Sequence, residues 1–211
     1  MPAQTYNSLV AQVMDYLDRT DADTLAEVPN FIYQAQQRIC RESKNIGLEQ
    51  YVTGFFIPGT SVYPKPARWR RTITFNFGSG AGFNNVNQLF LRGYDYIRNY
   101  WNNPVLQAPP VYYSDYGYDH LLVGPTPDQA YPFEYAYLEL PVPLSAVVQT
   151  NWLTNNVPDL LLYATLLEAV GFLKNDERIP VWTAYYDRGL QSLNNQDNQR
   201  VVDRTSNRDA D

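Results

Sequence analysis

Pro158-Asp159-Leu160-Leu161-Leu162-Tyr163-Ala164-Thr165-Leu166-Leu167-Glu168-Ala169-Val170 decides the fold. Pro158 suits the first turn of a helix, where its missing N–H would be unpaired in any case, and Asn155-Asn156-Val157 ahead of it is a start signal. The residues that follow are apolar nearly all round, not along one stripe. That pattern predicts a central, buried helix, ending near Lys174-Asn175. A buried helix needs others around it, and both ends of the chain supply them. Tyr6, Leu9, Val10, Val13 and Leu17 recur at helical spacing, which predicts a helix over about 5–19 with Thr5 as its N-cap. After a polar connection, Thr20-Asp21-Ala22-Asp23, Pro29 marks the first turn of a second helix. Its stripe is Phe31, Ile32, Ala35 and Ile39, and it ends near Lys44–Gly47. Trp182, Tyr185, Tyr186, Gly189 and Leu193 stripe a last helix over about 178–196.

Between these helices the pattern changes to period two. Tyr51 to Tyr63 is β-prone and broken by a Pro58-Gly59 turn, and Pro64-Lys65-Pro66 cannot lie in a central strand. Thr72-Ile73-Thr74-Phe75-Asn76-Phe77 alternates as a strand with one wet face. Gly78-Ser79-Gly80-Ala81-Gly82 reads as a loop. Leu91, Tyr94, Ile97 and Trp101 predict a short helix within 89–101, stopped by Asn102-Asn103-Pro104. Val111–Ser114 and His120–Val123 predict a β-hairpin around Asp115–Asp119, followed by a turn at Gly124-Pro125-Thr126-Pro127-Asp128. Tyr131 to Leu140 predicts a longer strand. Its odd positions, Tyr131, Phe133, Tyr135 and Tyr137, are aromatic, and its even ones include Ala136, Leu138 and Leu140. A strand apolar on both faces is covered on both, and a neighbouring subunit is one candidate for the second cover.

The expected class is therefore α+β. An antiparallel helical bundle forms from a hairpin over 1–50 and C-terminal helices over 151–197. A β-rich region over 51–150 is inserted in it, and an extended tail follows over 198–211, too polar to pack alone.

Composition narrows the function. With 211 residues the chain buries roughly 70% of its unfolded surface and needs no metal or disulfide to hold a core. No apolar run reaches the roughly 20 residues of a membrane span. The opening Met1-Pro2-Ala3-Gln4-Thr5-Tyr6 has neither the basic nor the apolar part of a signal peptide. One Cys and one His argue against a disulfide framework, a multi-histidine metal site and most His-based catalysis. Aromatics make up 15% of the chain, with 18 Tyr, and such an excess is typical of binding interfaces. The net charge of -6 argues against a nucleic-acid reader, though not against a wall that DNA slides past.

Catalytic constellations were sought and rejected. Cys40, beside Ile39 in a predicted helix, reads as a small buried hydrophobe, not as the thiolate partner of His120. The 78–82 loop lacks the Gly-Lys-Ser/Thr ending of a phosphate-binding loop. Asp115 and Asp119 fit solvated turn acids better than a glycosidase pair. Tyr113, Tyr116 and Tyr118 with Tyr100 and Trp101 could stack on sugars, so a carbohydrate-binding tail module is the alternative from another class. Arg68-Trp69-Arg70-Arg71 is the only basic cluster and reads as a solvated or interface group.

Three stretches resemble head-to-tail adaptor (connector) proteins of short-tailed bacteriophages. Pro29-Asn30-Phe31-Ile32-Tyr33-Gln34-Ala35-Gln36-Gln37-Arg38-Ile39 resembles the second helix of that family, with Gln36 where the pattern favours Glu. Val123-Gly124-Pro125-Thr126-Pro127-Asp128, the aromatic strand and Leu140-Pro141-Val142-Pro143-Leu144-Ser145 are similar to its central segment. Trp152-Leu153 followed by Pro158–Ala169 is similar to its third and most specific signature, whereas Arg68–Asn87 departs from the pattern. The resemblance implies a virion structural protein, not an enzyme, with no cofactor and no metal. It implies a twelve-membered ring assembled in the host cytoplasm and placed in the neck beneath the portal protein. There it would extend the DNA channel and dock the tail nozzle protein, with DNA passing through without specific binding and no membrane involved. In such adaptors the bundle and a C-terminal extension engage the portal, so Arg200, Val201, Val202, Arg204 and Arg208 are the expected portal-docking residues. Arg68, Trp69, Arg70, Arg71, Trp101, Tyr116 and Tyr118 are the expected contacts to nozzle or neighbour.

Overall fold

The computed structural model describes residues 4–43, 48–79, 85–103, 105–173 and 177–206, with backbone alone for 79 and 199–206. The chain opens with α1 (Tyr6–Leu17) and α2 (Ala22–Glu42). Then come β1 (Glu49–Phe55), β2 (Val62–Pro64), β3 (Trp69–Ser79), β4 (Asn85–Gln88), β5 (Phe90–Leu91) and α3 (Tyr94–Tyr100). Three strands follow, β6 (Tyr112–Tyr116), β7 (His120–Gly124) and β8 (Pro132–Glu139). The chain closes with α4 (Trp152–Asn156), α5 (Pro158–Leu173) and α6 (Ile179–Ser206). Together they make an α+β fold, as the residue patterns predict. The chain divides into two compact units, Met1–Leu48 with Leu140–Asp211, and Glu49–Glu139.

In the helical unit, α1 opens with a capping box. The Ser8 N–H donates to Thr5 Oγ1 at 3.2 Å and the Thr5 N–H donates to Ser8 Oγ at 2.8 Å. It buries Tyr6, Leu9, Val13 and Leu17 and ends at Asp18 in the left-handed region. The second helix starts a full two turns earlier than Pro29 suggests. Asp21 caps it, accepting from the Thr24 N–H at 2.9 Å and the Thr24 hydroxyl at 2.6 Å, and those bonds hold its carboxyl below the usual range. Thr24 and Val28 are buried and carry the apolar stripe back past the proline. Pro29 therefore lies inside the helix on an exposed face, where water can take the Leu25 carbonyl that the ring leaves without a donor. The helix ends at Glu42 with Ser43 as cap, and the Lys44–Gly47 end read from the sequence lies outside the described residues.

As expected, α5 is buried nearly all round, through Leu160, Leu161, Leu162, Ala164, Thr165, Leu166 and Ala169, and it packs against α1, α2 and α6. Thr165 satisfies its hydroxyl by donating to the Leu161 carbonyl at 2.8 Å. α4, a short helix capped by Asn151, was not legible beforehand. α6 corrects the expected end at 196, since its backbone runs unbroken to Ser206 where an extended tail was expected. Trp182, Tyr186, Leu193 and Asp197 are buried at one helical spacing, and no proline or glycine follows Gly189 to end the helix. Tyr185, expected in the stripe, is exposed but stacks on Tyr163 at 4.9 Å. Gln36 cross-links this unit. It is 2% exposed, and its Oε1 accepts from Asn151 Nδ2 at 2.8 Å and from the Leu144 N–H at 3.4 Å.

The other unit holds two four-stranded sheets, ordered β1-β8-β3-β4 and β2-β7-β6-β5. They share one aromatic core, with Phe75, Phe77, Tyr135 and Tyr137 from the first and Tyr113, Leu121 and Val123 from the second. Rings meet edge to face in it, Phe75 with Tyr135 at 4.9 Å and Phe77 with Tyr131 at 5.5 Å. Central β8 pairs antiparallel with β1 in an unbroken register from Glu49↔Leu138 to Phe55↔Pro132. Gly54 faces Phe133 in it, and a Cβ there would lie 2.7 Å from the Phe133 ring, so any larger residue would force that ring to move. On the even face of β8, Ala136 and Leu138 are 1% and 5% exposed within the chain itself. That overturns the neighbouring subunit as the needed second cover. β3 is longer than Thr72–Phe77 and carries register shifts at Trp69/Arg71 and Thr72/Thr74. Ile73 lies in the second shift without a partner on β8, which explains its exposure inside an otherwise alternating strand. β6 and β7 form the expected hairpin, turning at Gly117 with φ 70°.

Candidate interaction surfaces

α3 sits on β7 through Ile97. A Cβ on Gly124 would lie 2.6 Å from Ile97 Cγ2, so the glycine lets the helix approach the strand's backbone. Ile97 is the buried anchor, flanked on the helix by Tyr94 on one side and by Tyr96 and Tyr100 on the other, with Trp101 just beyond the helix end. Tyr112 and Tyr116 of β6 complete the surface. Tyr94 stacks on Tyr116 at 5.6 Å, Tyr96 meets Tyr112 at 5.6 Å, and Trp101 meets Tyr112 at 5.4 Å. Two guanidiniums are inserted among these rings. Arg92 lies 5.8 Å from the Tyr96 centroid and 5.7 Å from that of Tyr112. Arg98 lies 5.6 Å from Tyr94 and 5.7 Å from Tyr116. Each cation thus lies beside a pair of contacting rings, which favours it electrostatically. Phe90 and Leu91 of edge strand β5 extend the apolar area beside them.

The structure therefore gathers Trp101 and Tyr116, two of the expected contact residues, into one surface. Tyr118 stands at the hairpin tip, 88% exposed. Arg92, Arg98, Tyr94, Tyr96 and Tyr112 were missed as a group. Their signal was present in Arg92-Gly93-Tyr94-Asp95-Tyr96-Ile97-Arg98-Asn99-Tyr100, where Tyr94 precedes Arg98 by four and Tyr96 precedes Tyr100 by four, both helical neighbours.

The 68–71 cluster is tied into its own sheet. Arg68 has φ 54° and pairs with Glu139. The Trp69 indole N–H donates to Thr72 Oγ1 at 3.3 Å, Thr72 shares a 2.7 Å hydrogen bond with the Tyr135 hydroxyl, and the Lys65 ammonium lies 3.9 Å above the Trp69 ring. The same ammonium pairs with Asp115 at 3.3 Å and donates to the Gly117 and Tyr118 carbonyls at 3.3 and 3.2 Å, clamping the hairpin turn. Burial, only partly offset by the Thr72 and Trp69 hydrogen bonds, pushes the Tyr135 hydroxyl up to about 12. Arg70 is half-buried and Arg71 exposed.

The helical unit holds a groove of about 330 Å³ where Leu167, Val170 and Ile179 meet Arg38, Glu42 and Tyr186. The Tyr186 hydroxyl donates to Glu42 Oε2 at 2.6 Å, and Arg38 pairs with Glu168 at 3.1 Å and Glu42 at 3.7 Å. Burial and then the Glu42 carboxylate push the Tyr186 hydroxyl far up, so it stays a donor and is no acid for catalysis.

Cys40 is buried at 1% exposure, as its reading as a small hydrophobe expects, and His120 is exposed at the start of β7. Asp115 is occupied by Lys65 and does not form a free pair with Asp119. Of the expected docking residues at the end of the chain, Arg200, Val201, Val202 and Arg204 fall on the α6 backbone, and Arg208 lies outside the described residues, as do Gly80–Gly82 of the glycine loop. Among the described residues no group of three or more His, Cys, Asp or Glu could hold a metal ion, and no helix is long and apolar enough to cross a membrane.

No curated protein sequence matches the chain. The sequence model of one family, SU10 adaptor protein, matches residues 4–209, spanning both units and all three stretches that carry the resemblance to phage head-to-tail adaptors. A match of that extent places the chain: it belongs to the SU10 adaptor protein family, as a phage adaptor structural protein.

Proposed function

We propose that the protein is the ring-forming head-to-tail adaptor of a phage virion, lying in the neck between portal and tail nozzle and lining the DNA channel. The family match over 4–209 carries the reading. The physics supports it. A ring subunit needs heterologous contacts with two neighbours and further surfaces above and below, which accounts for many exposed aromatics without a catalytic cleft. An acidic chain does not grip the phosphate backbone, so DNA can pass in packaging and ejection. The sugar-binding alternative is weaker. The ring faces of Tyr94, Tyr96, Tyr112 and Tyr116 are already taken by guanidiniums and neighbouring rings, so a stacking platform for sugars is largely filled.

The end of α6 is the proposed portal-docking segment. Leu193 and Asp197 are its last buried positions among those whose side chains are described, so a chain ending at Asp197 keeps the buried positions described for α6. Deleting 198–211 removes the last turns of α6 and is expected to leave the melting temperature unchanged while weakening co-sedimentation with purified portal rings. Full-strength co-sedimentation of the truncated chain would reject the assignment.

A further inference from the structure

Arg92 and Arg98 have no carboxylate within 4.0 Å among the described residues, although acidic residues outnumber basic ones 22 to 16. Each guanidinium lies over a pair of contacting tyrosine rings and makes no side-chain hydrogen bond among the described residues. Rings and cations so arranged fit a partner that brings carboxylates together with apolar side chains. Two cations, with Asp95 between them in sequence, are too few for a nucleic-acid track. The chain itself carries the complement. At the α1–α2 corner Asp15, Asp18 and Asp23 are exposed and Glu27 is half-buried, none with a basic group within 4.0 Å among the described residues, and Tyr16 and Leu25 are exposed among them. Two cations stand at this corner: Arg19, whose charge joins the Thr24 hydrogen bonds in lowering the Asp21 carboxyl, and Arg178, whose guanidinium donates to the Tyr16 and Leu17 carbonyls and lies over Trp182; with Asp21 counted, the acids outnumber them five to two.

We propose that the Arg92–Arg98 aromatic surface of one copy docks on the acidic α1–α2 corner of the next. The contact is heterologous, joining two unlike patches, which is the kind that closes a ring when the rotation permits. The inference rests on the ring reading and names the surfaces that would build it.

Charge exchange tests it in the full-length chain, read by sedimentation velocity alone and on portal rings. One variant carries Arg92→Glu and Arg98→Glu, the other Asp15→Arg and Asp23→Arg. Alone, each sets like charges against each other at every contact and is expected to self-associate at least about tenfold more weakly. Mixed in equal amounts, they place Glu against Arg at one contact and Arg against Asp at the next. Alternating assembly should then recover to within about threefold of wild type. Circular dichroism checks that both fold, and Arg92→Gln with Arg98→Gln, a milder change, should give an intermediate loss. Undiminished assembly of either charge variant overturns the contact. Loss without rescue on mixing also overturns it, because the aromatic surface then serves an unlike partner. A wild-type chain that stays monomeric, alone and with portal rings, defeats the ring reading itself, whatever the variants do.

Discussion

Replacing Gln36 by methionine keeps the side chain's length and removes its amide. In the structure that amide's Oε1 is the acceptor for the Leu144 N–H and for Asn151 Nδ2, joining α2 to the 140–151 segment and to the cap of α4. Leu144 is buried, so its N–H loses its partner where water does not reach freely, at roughly 1–3 kcal/mol. Asn151 Nδ2 keeps the Val142 carbonyl at 2.9 Å, so its loss is smaller, about 0.5–1.5 kcal/mol. Ile32 loses a 3.3 Å bond from Gln36 Nε2 but lies within α2, where its carbonyl keeps a helical donor. Burying the methionine returns about 1 kcal/mol. The net expectation is a loss of roughly 0.5–3.5 kcal/mol, centred near about 2, read from urea unfolding followed at 222 nm with an unchanged slope. Gln36→Glu retains the acceptor and should cost less than Gln36→Met. A loss below about 0.5 kcal/mol for the methionine variant, or a larger loss for the glutamate, would refute the view that this acceptor holds the segment in place.

Trp182 is 4% exposed in the bundle core with the Arg178 guanidinium 5.1 Å from its ring, so Trp182→Ala should cost about 3–5 kcal/mol; a melting temperature near that of wild type would move it out of the core. Gly124→Ala pushes a methyl into Ile97 and should cost about 1–3 kcal/mol while changing the tyrosine and tryptophan emission of the α3 surface; unchanged spectra and stability would show that α3 does not seat there. Tyr135 favours its neutral form in the fold, with its hydroxyl raised from 10.0 to about 12. Its contribution to stability is fully present below pH 10 and is lost as the pH rises towards 12, because the unfolded chain ionises first. Absorbance at 295 nm should show late-titrating tyrosine in the folded protein, and a single titration at the value of free tyrosine would count against the buried hydroxyl.

The helical bundle was legible because burial writes a period into the sequence. The run from Leu160 to Val170 has no polar stripe, and that alone places α5 at the centre. Pro29 misled because proline is a strong sign of a first turn, yet an Asp21 cap and an exposed proline face let the helix begin earlier. The polar run after Asn198 carries no apolar stripe from which a helix could be read, yet the α6 backbone continues through it to Ser206, because no proline or glycine interrupts it. The aromatic strand β8 was readable from its alternation. What covers its even face was not, since covers come from distant sequence. The same holds for the Lys65 clamp and the Arg92 and Arg98 contacts with tyrosine rings, where residues from a loop, a short helix and a hairpin meet only once the sheets are paired. Catalysis was argued against from the scarcity of Cys and His; the structure adds that Cys40 is buried and Asp115 held by Lys65.

Electron microscopy of the purified full-length protein incubated with portal rings tests the account most directly. The account predicts closed rings of this chain stacked on the axis of the portal, with an open central channel. Single copies in solution beside bare portal rings would contradict it.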